Sequence, residues 1–188
     1  MTIHQRCAWV SDDPLYQAYH DEEWGRPVHN GQALFGLLCL EGQQAGLSWI
    51  TVLRKRAHYL ACFHDFVPER VATMTEADVE RLVLDAGIIR HRGKIQAIIG
   101  NARAYLTMQA AGEDFAAFVW GFAGPQDAPV RTSMAEVPAR TEASDALAKA
   151  LKQRGFKFVG STICYAFMQA AGLVNDHHQP CDLAQRSD

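Results

Sequence analysis

Apolar residues return every three or four positions along nearly all of this 188-residue chain, and nowhere do they alternate with polar ones for more than a few residues. That period matches the turn of a helix and not the two-residue pleat of a strand, so the expected fold class is all-α. The spacing predicts helices over residues 33–41, 46–63, 75–85, 91–110 and 114–121, with helical pattern resuming at about 144. Thr75 precedes Asp78 by three residues, a capping-box arrangement with aspartate in the acidic place, and Gly87 is expected to end that helix. The stretch AGPQDAPVRTSMAEVPAR, residues 123–140, holds three prolines and little periodicity, which predicts a surface connection.

A hydrophobic content of 48% is enough for the core of one domain. No run reaches the ~18 apolar residues of a membrane span, and the first residues lack a basic start followed by an apolar block. A cytoplasmic protein without a membrane partner is expected. Five cysteines, an odd number without a secretory leader, read as reduced thiols. A net charge of −3 argues against a generally basic nucleic-acid binder, but two stretches carry cations and no acid. One holds Arg90, Arg92, Lys94 and Arg103, the other Lys149, Lys152, Arg154 and Lys157. They predict one positive face, or simply solvated helix ends.

Three local features carry chemistry. Glu41 follows the apolar run ALFGLLCL, where an unpaired carboxylate costs several kcal/mol unless it finds a partner or takes up a proton. Trp9, Tyr16, Tyr19 and Trp24 fall within sixteen residues of one another, Trp49 lies eight after Glu41, and the five can supply flat walls, although most such rings simply fill cores. GFKFVG, between a basic and an apolar helix, forms a glycine-bounded turn. Ser161 or Thr162 can cap the second helix, whose first N–H groups then lie beside Lys157 and can hold a phosphate oxygen. Such turns are also common without a ligand. Finally, Cys7 and His20 stand near one end of the chain, and His177 and Cys181 near the other. Two thiolates and two imidazoles complete a closed tetrahedral zinc site, but this spacing also suits an ordinary buried cysteine and surface histidines, and His178 competes with His177. Cys39, Cys62 and Cys164 occupy apolar helix positions and read as core.

LEGQQAGLSWITVL, DAGIIRHRGKIQAIIGNARAYL and GFKFVGSTICYAFMQAAGLVNDH closely resemble the bacterial 3-methyladenine DNA glycosylase I family, of the helix-hairpin-helix glycosylase superfamily. The similarity runs from about Arg6 to Cys181. The resemblance implies an all-helical domain over residues 1–181, with a DNA-backbone hairpin at GFKFVG; residues 182–188 read as a disordered tail. It implies a structural zinc ion, one per chain, held by Cys7, His20, His177 and Cys181 and tying the termini together. Glu41 matches the base-reading acid and, with Tyr19, carries the expected catalytic roles. Trp49 and Tyr19 match rings that sandwich the base, and Trp9 and Tyr16 match further pocket residues. Gly46 and Leu47 are expected to fill the gap left by a flipped nucleotide, with Gln43 and Gln44 within reach of the duplex. Gly155, Lys157, Gly160 and Ser161 are expected at the DNA backbone.

The implied partners are double-stranded DNA containing alkylated bases and free 3-methyladenine as product, with the enzyme acting as a monomer. Methylation at N3 makes the base a cationic leaving group, and no lysine is placed as a Schiff-base nucleophile, so the expected reaction is monofunctional hydrolysis to an abasic site. Many superfamily relatives place an aspartate after the hairpin's second helix. Asp176 comes a few residues early, abuts His177, and is set aside. The rivals are a zinc-stabilised DNA-binding module without catalysis and a small-molecule metalloenzyme using the His-rich tail; two thiolates among four ligands argue against the second.

Overall fold

The computed structural model describes residues 5–125 and 129–184. Among these residues the only β-type pairing is an isolated parallel bridge between Arg131 and His178, so the all-α expectation holds. Helix α1 (Pro14–Glu22) begins where the Asp13 carboxylate accepts from the Leu15 and Tyr16 N–H groups and Pro14 occupies a position that needs no donor. The sequence reading missed it, although the cap and the proline were both in view.

Helix α2 (Gly31–Gln44), capped by Asn30, is buried from Leu34 to Gly36 and from Leu38 to Gln43. A helix covered on nearly all sides sits at the centre of its fold, and Glu41 lies on it. The single helix expected over 46–63 is two. Gly46 takes φ +76°, a left-handed conformation that interrupts a helix. Residues 45–48 therefore form a loop, followed by α3 (Trp49–Leu53), a turn at Arg54 and Lys55, and α4 (Arg56–Cys62). A short 3₁₀ turn (His64–Phe66) leads to α5 (Pro68–Ala72), another helix begun by a proline and absent from the sequence reading.

In α6 (Glu76–Leu82) the Asp78 carboxylate accepts from the Thr75 N–H at 2.9 Å, as the capping pattern predicts. The helix ends earlier than expected, and Asp85 instead shapes a turn by accepting from the Gly87 N–H. Helix α7 (Arg92–Ala110) buries Ile95, Ile98, Ile99 and Ala102 and packs against α2 and α5. Then come α8 (Phe115–Trp120), a connection with a 3₁₀ turn at Met134–Glu136, and α9 (Glu142–Gln153) and α10 (Ser161–Ala170), which pack against each other.

The main core gathers Phe35, Tyr59, Phe63, Phe66, Tyr165 and Phe167 around α2, α4, α7 and α10. A second, smaller apolar cluster joins the two ends of the chain: Cys7, Cys181, Leu183 and Ala184, with Trp9, Trp24 and Val130 against them. This corrects the expected tail. Leu183 and Ala184 are buried, and the Asp182 N–H donates to the Gln5 carbonyl at 3.0 Å. Residues 185–188 lie outside the described residues.

Candidate functional site

Glu41 sits three positions before the end of α2 and faces a cavity of about 170 Å³. Trp9, Tyr16, Tyr19 and Trp24 come to its walls from α1 and its flanks, Trp49 from α3, and Ala166 and Gln169 from α10. Met134 and Val137 close a further side, so the proline-rich connection contributes to the cavity and does not merely cross the surface. Glu41 is 2% exposed, its Oε2 has no hydrogen-bond partner, and burial pushes its carboxyl up to about 8. Trp49 Nε1 is a second buried polar atom in the same cavity without a partner. Most buried polar atoms are satisfied, so two such atoms in one aromatic cavity mark a place built for a polar guest. Burial, and secondarily the Glu41 charge, raise both Tyr16 and Tyr19. Both phenols keep their protons at neutral pH.

A stability measurement reads the Glu41 burial directly. A carboxyl that titrates near 4.5 when unfolded and near 8 when folded binds its proton more tightly in the folded state, so it adds no cost below pH 4.5. As pH rises from there to 8 the cost grows to on the order of 5 kcal/mol. Denaturant unfolding of wild type and Glu41→Gln across roughly pH 4–9 is therefore expected to show the variant gaining relative stability between about pH 4.5 and 8, with parallel curves on either side. Parallel curves across the whole range would mean that Glu41 is solvated.

The two rings matched to the base sandwich touch one another. Tyr19 and Trp49 have centroids 5.4 Å apart and planes at 43°. A base between two faces needs about 7 Å of separation, two contact layers of 3.5 Å each. These two side chains lean on one another, closer than a base stacked between them allows. Trp9 is similarly engaged, 5.0 Å from both Tyr16 and Trp24.

Asp176, set aside on sequence, lines the same cavity. Arg131 donates to its Oδ1 at 2.7 Å, while Gln169 at 2.8 Å and the Tyr165 hydroxyl donate to Oδ2. Its donors are fixed in place, unlike the unpartnered Glu41. No sequence signal joins Asp176 to Arg131, because Arg131 lies in the irregular connection.

Beside the aromatic cavity, Cys7, His20, His177 and Cys181 converge with their donor atoms within 4.8 Å of one another, all four buried. Cys7 Sγ lies 3.5 Å from His177 Nδ1, and Cys181 Sγ lies 3.5 Å from His20 Nε2 and 3.6 Å from His177 Nδ1. A tetrahedral ion with ordinary zinc–sulfur and zinc–nitrogen bonds holds such donors about 3.6 Å apart. The other ring nitrogens are oriented as metal-bound imidazoles require: His20 Nδ1 meets Asp21 at 2.8 Å and His177 Nε2 meets the Trp24 carbonyl at 3.2 Å. The Cys7–Cys181 hydrogen bond pushes Cys181 down and, together with burial, raises Cys7. This cluster could bind a metal. His178 points elsewhere, with Nε2 taking the Ala8 N–H at 3.3 Å. Trp9 and Trp24 touch both assemblies: their rings lie 5.3 Å from His20 and 4.6 Å from His177, and both line the cavity.

The glycine-bounded turn joins α9 and α10. Gly155 takes φ +89°, and Lys157 is exposed. The expected side-chain cap is not made: Gly160 holds the cap position and the Ser161 hydroxyl bonds that of Ser144 at 2.9 Å. Asn101 of α7 fixes the turn, accepting from the Lys157 N–H at 2.8 Å and donating to its carbonyl at 3.1 Å. A Cβ on Gly42, next to Glu41, would stand 3.3 Å from the Phe158 carbonyl oxygen, a tight contact. The turn is thus packed against the helix that carries the acid. Replacing Asn101 by Ala leaves both Lys157 groups without this partner, and a loss of about 1–3 kcal/mol in denaturant unfolding is expected.

Four of the eight cations in the two basic stretches are engaged locally. Lys94 is 5% exposed and donates to the Gln43 and Ala45 carbonyls at the end of α2. Arg92 pairs with Glu76 and Glu80, Arg103 with the Ala72 and Met74 carbonyls, and Arg154 with Glu113. Lys149 and Lys152 instead line a groove with Arg140 and Ser161 beside the turn. In the loop after α2, Gly46 and Leu47 are exposed, whereas Gln43 is buried between Tyr59 and Lys94 and cannot reach a ligand outside. Gln44 lines the cavity.

The sequence model of the methyladenine glycosylase family matches residues 9–185. DNA-3-methyladenine glycosylase 1 of Escherichia coli is 67% identical over 178 residues, covering 94% of this chain and 95% of that one. DNA-3-methyladenine glycosylase of Haemophilus influenzae is 51% identical over 180 residues, covering 94% and 96%. A solved structure of 3-methyladenine DNA glycosylase I from Staphylococcus aureus, described as the structural basis of 3-methyladenine recognition, superposes with a TM-score of 0.90 at 40% identity, covering 97% of this chain and 98% of that one. This chain belongs to the methyladenine glycosylase family.

Proposed function

We propose that this protein is a DNA repair enzyme that extrudes 3-methyladenine from alkylated double-stranded DNA and hydrolyses its N-glycosyl bond, releasing free 3-methyladenine and leaving an abasic site. The observation that carries this reading is the Glu41 carboxylate, buried and unpartnered in an aromatic-walled cavity. A flipped base needs flat walls and a few edge-reading polar groups, and this cavity supplies both. An N3-methylated adenine brings positive charge and an exocyclic amine, so its entry gives Glu41 the partner it lacks and favours the ionised carboxylate.

The leaving group is activated before it arrives, because departure turns a cationic base into a neutral molecule. The protein then has to exclude water, orient the nucleotide and favour the charge distribution of bond breaking, a contribution of roughly 3–4 kcal/mol from a few placed groups. Glu41 supplies the negative charge. Tyr19, its phenol protonated, acts as wall and as donor, and Trp49, Tyr16 and Trp9 complete the walls. Entry of a base between Tyr19 and Trp49 requires the two rings to part. Among the described residues no lysine lines the cavity, in keeping with hydrolysis without strand cleavage.

Gly155, Lys157, Gly160 and Ser161 form a helix-hairpin-helix contact to the DNA backbone, where backbone N–H groups position without reading sequence. Exposed Leu47, freed by Gly46, enters the gap left by the extruded nucleotide. Cys7, His20, His177 and Cys181 hold one structural zinc ion that ties together the ends of a single domain, which includes the buried Leu183 and Ala184. Four protein donors leave no open position for chemistry, so the ion supplies folding energy. The enzyme acts as a monomer.

The test is incubation of the protein with methylated DNA, followed by chromatographic identification of the released bases. Free 3-methyladenine and alkali-sensitive abasic sites are expected. DNA binding with no base released would leave a zinc-stabilised DNA-binding module in its place.

A further inference from the structure

A second group of metal-type donors lies apart from both the aromatic cavity and the terminal cluster. His58 and Cys62 stand one turn apart on α4, and Asp85 reaches them from the turn after α6. Asp85 Oδ2 is 2.8 Å from His58 Nε2 and 3.6 Å from Cys62 Sγ, and the three donor atoms lie within 4.8 Å of one another. Cys62, read from the sequence as core, is partly exposed.

Two features hold these donors in place. The Gly87 N–H donates to Asp85 Oδ1 at 2.7 Å, which aims Oδ2 at the other two donors. A Cβ on Gly87 would fall 2.2 Å from His58 Cδ2, so the imidazole occupies space that only glycine leaves open. Lys55 adds a tie between the start of α4 and this turn, donating to the Ala86 carbonyl at 2.7 Å.

We infer that His58, Cys62 and Asp85 form a second metal site, for a divalent cation of borderline softness such as Zn²⁺ or Co²⁺. Sulfur and imidazole donors disfavour calcium and magnesium, which take oxygen. A tetrahedral ion holds a sulfur and a carboxylate oxygen about 3.6 Å apart, the separation already present between Cys62 and Asp85. The nitrogen–oxygen edge of such a site is about 3.4 Å. The His58–Asp85 pair therefore opens by roughly half an ångström when the ion replaces the hydrogen between them. On binding, Cys62 releases its thiol proton to solvent, and the ring proton on His58 Nε2 moves through solvent to Nδ1, which frees Nε2 to ligate while the imidazole stays neutral. The thiolate and the carboxylate then balance the charge of the ion. Three protein donors leave the fourth position to water, on the side where His58 is exposed.

The test is titration of the purified full-length protein with Co²⁺, following the near-ultraviolet thiolate-to-cobalt band and counting bound ions by equilibrium dialysis. Wild type is expected to bind one more ion per chain than Cys62→Ser, with part of the band lost in that variant. Gly87→Ala, which displaces the imidazole and spares the sulfur, is expected to weaken the same ion by about tenfold or more. All of these positions lie outside the aromatic cavity, so base excision is expected to be unchanged in both variants, with melting curves confirming that they fold. Equal ion counts and equal spectra in wild type and Cys62→Ser would overturn the site, whatever the outcome for excision.

Discussion

Glu41→Gln lowers single-turnover excision of 3-methyladenine by about 100-fold or more, while affinity for undamaged duplex stays within a few-fold of wild type. The size follows from the setting of the side chain. A single well-placed electrostatic group in a water-excluded site is worth about 10²–10³ in rate. Glu41 is such a group, 2% exposed and with Oε2 unpartnered. Glutamine keeps the volume and one acceptor but cannot become an anion, and its amide presents hydrogens to a positively charged ring. Duplex binding is expected to survive because the proposed DNA contacts, the turn residues and Leu47, are separate from the carboxylate. Unchanged single-turnover excision would remove Glu41 from the mechanism.

Cys181→Ala lowers the melting temperature by on the order of 10 °C, with a much smaller change in excision per folded molecule. Loss of a structural metal belongs to the short list of changes that exceed about 4 kcal/mol, and each kcal/mol moves a domain of this size by about 2–4 °C. The loss falls where the ends of the chain meet, since Cys7 and Cys181 also anchor the smaller apolar cluster. Some effect on the cavity is expected, because Trp9 and Trp24 lean on His20 and His177 while lining it. An unchanged melting temperature, together with wild-type protein that contains no zinc as purified, would contradict the structural role.

Much of this architecture was legible in local pattern. Helical periodicity located α2, α6, α7, α8, α9 and α10, and the Thr75–Asp78 cap was readable because it is a contact between neighbours in sequence. The break at Arg54 and Lys55 was not, since the apolar period continues through it while the backbone turns. Glu41 stood out because a carboxylate is chemically foreign to the run before it. The convergence of Cys7, His20, His177 and Cys181 lay beyond local reading: more than 150 residues separate the two halves, and only packing of the ends brings them together. Charge runs are incomplete for a related reason. A basic stretch does not state where each cation points, and Lys94 turned inward to the end of α2 while Arg92, Arg103 and Arg154 found acids or carbonyls. The tilted contact between Tyr19 and Trp49 depends on side-chain packing that no spacing encodes.

The protonation state of Glu41 itself tests most directly whether a buried acid distinguishes a cationic base. Carboxyl carbon NMR can follow it in the free protein and in a complex with duplex whose 3-methyladenine nucleotide carries a 2′-fluorine, which withdraws electron density from the sugar and slows loss of the base. Selection of a cationic base by a buried acid requires titration near pH 8 in the free protein and an ionised carboxylate at pH 7 in the complex. A carboxyl that titrates in the ordinary acidic range when free, or that keeps its proton at pH 7 with the damaged base bound, would contradict it.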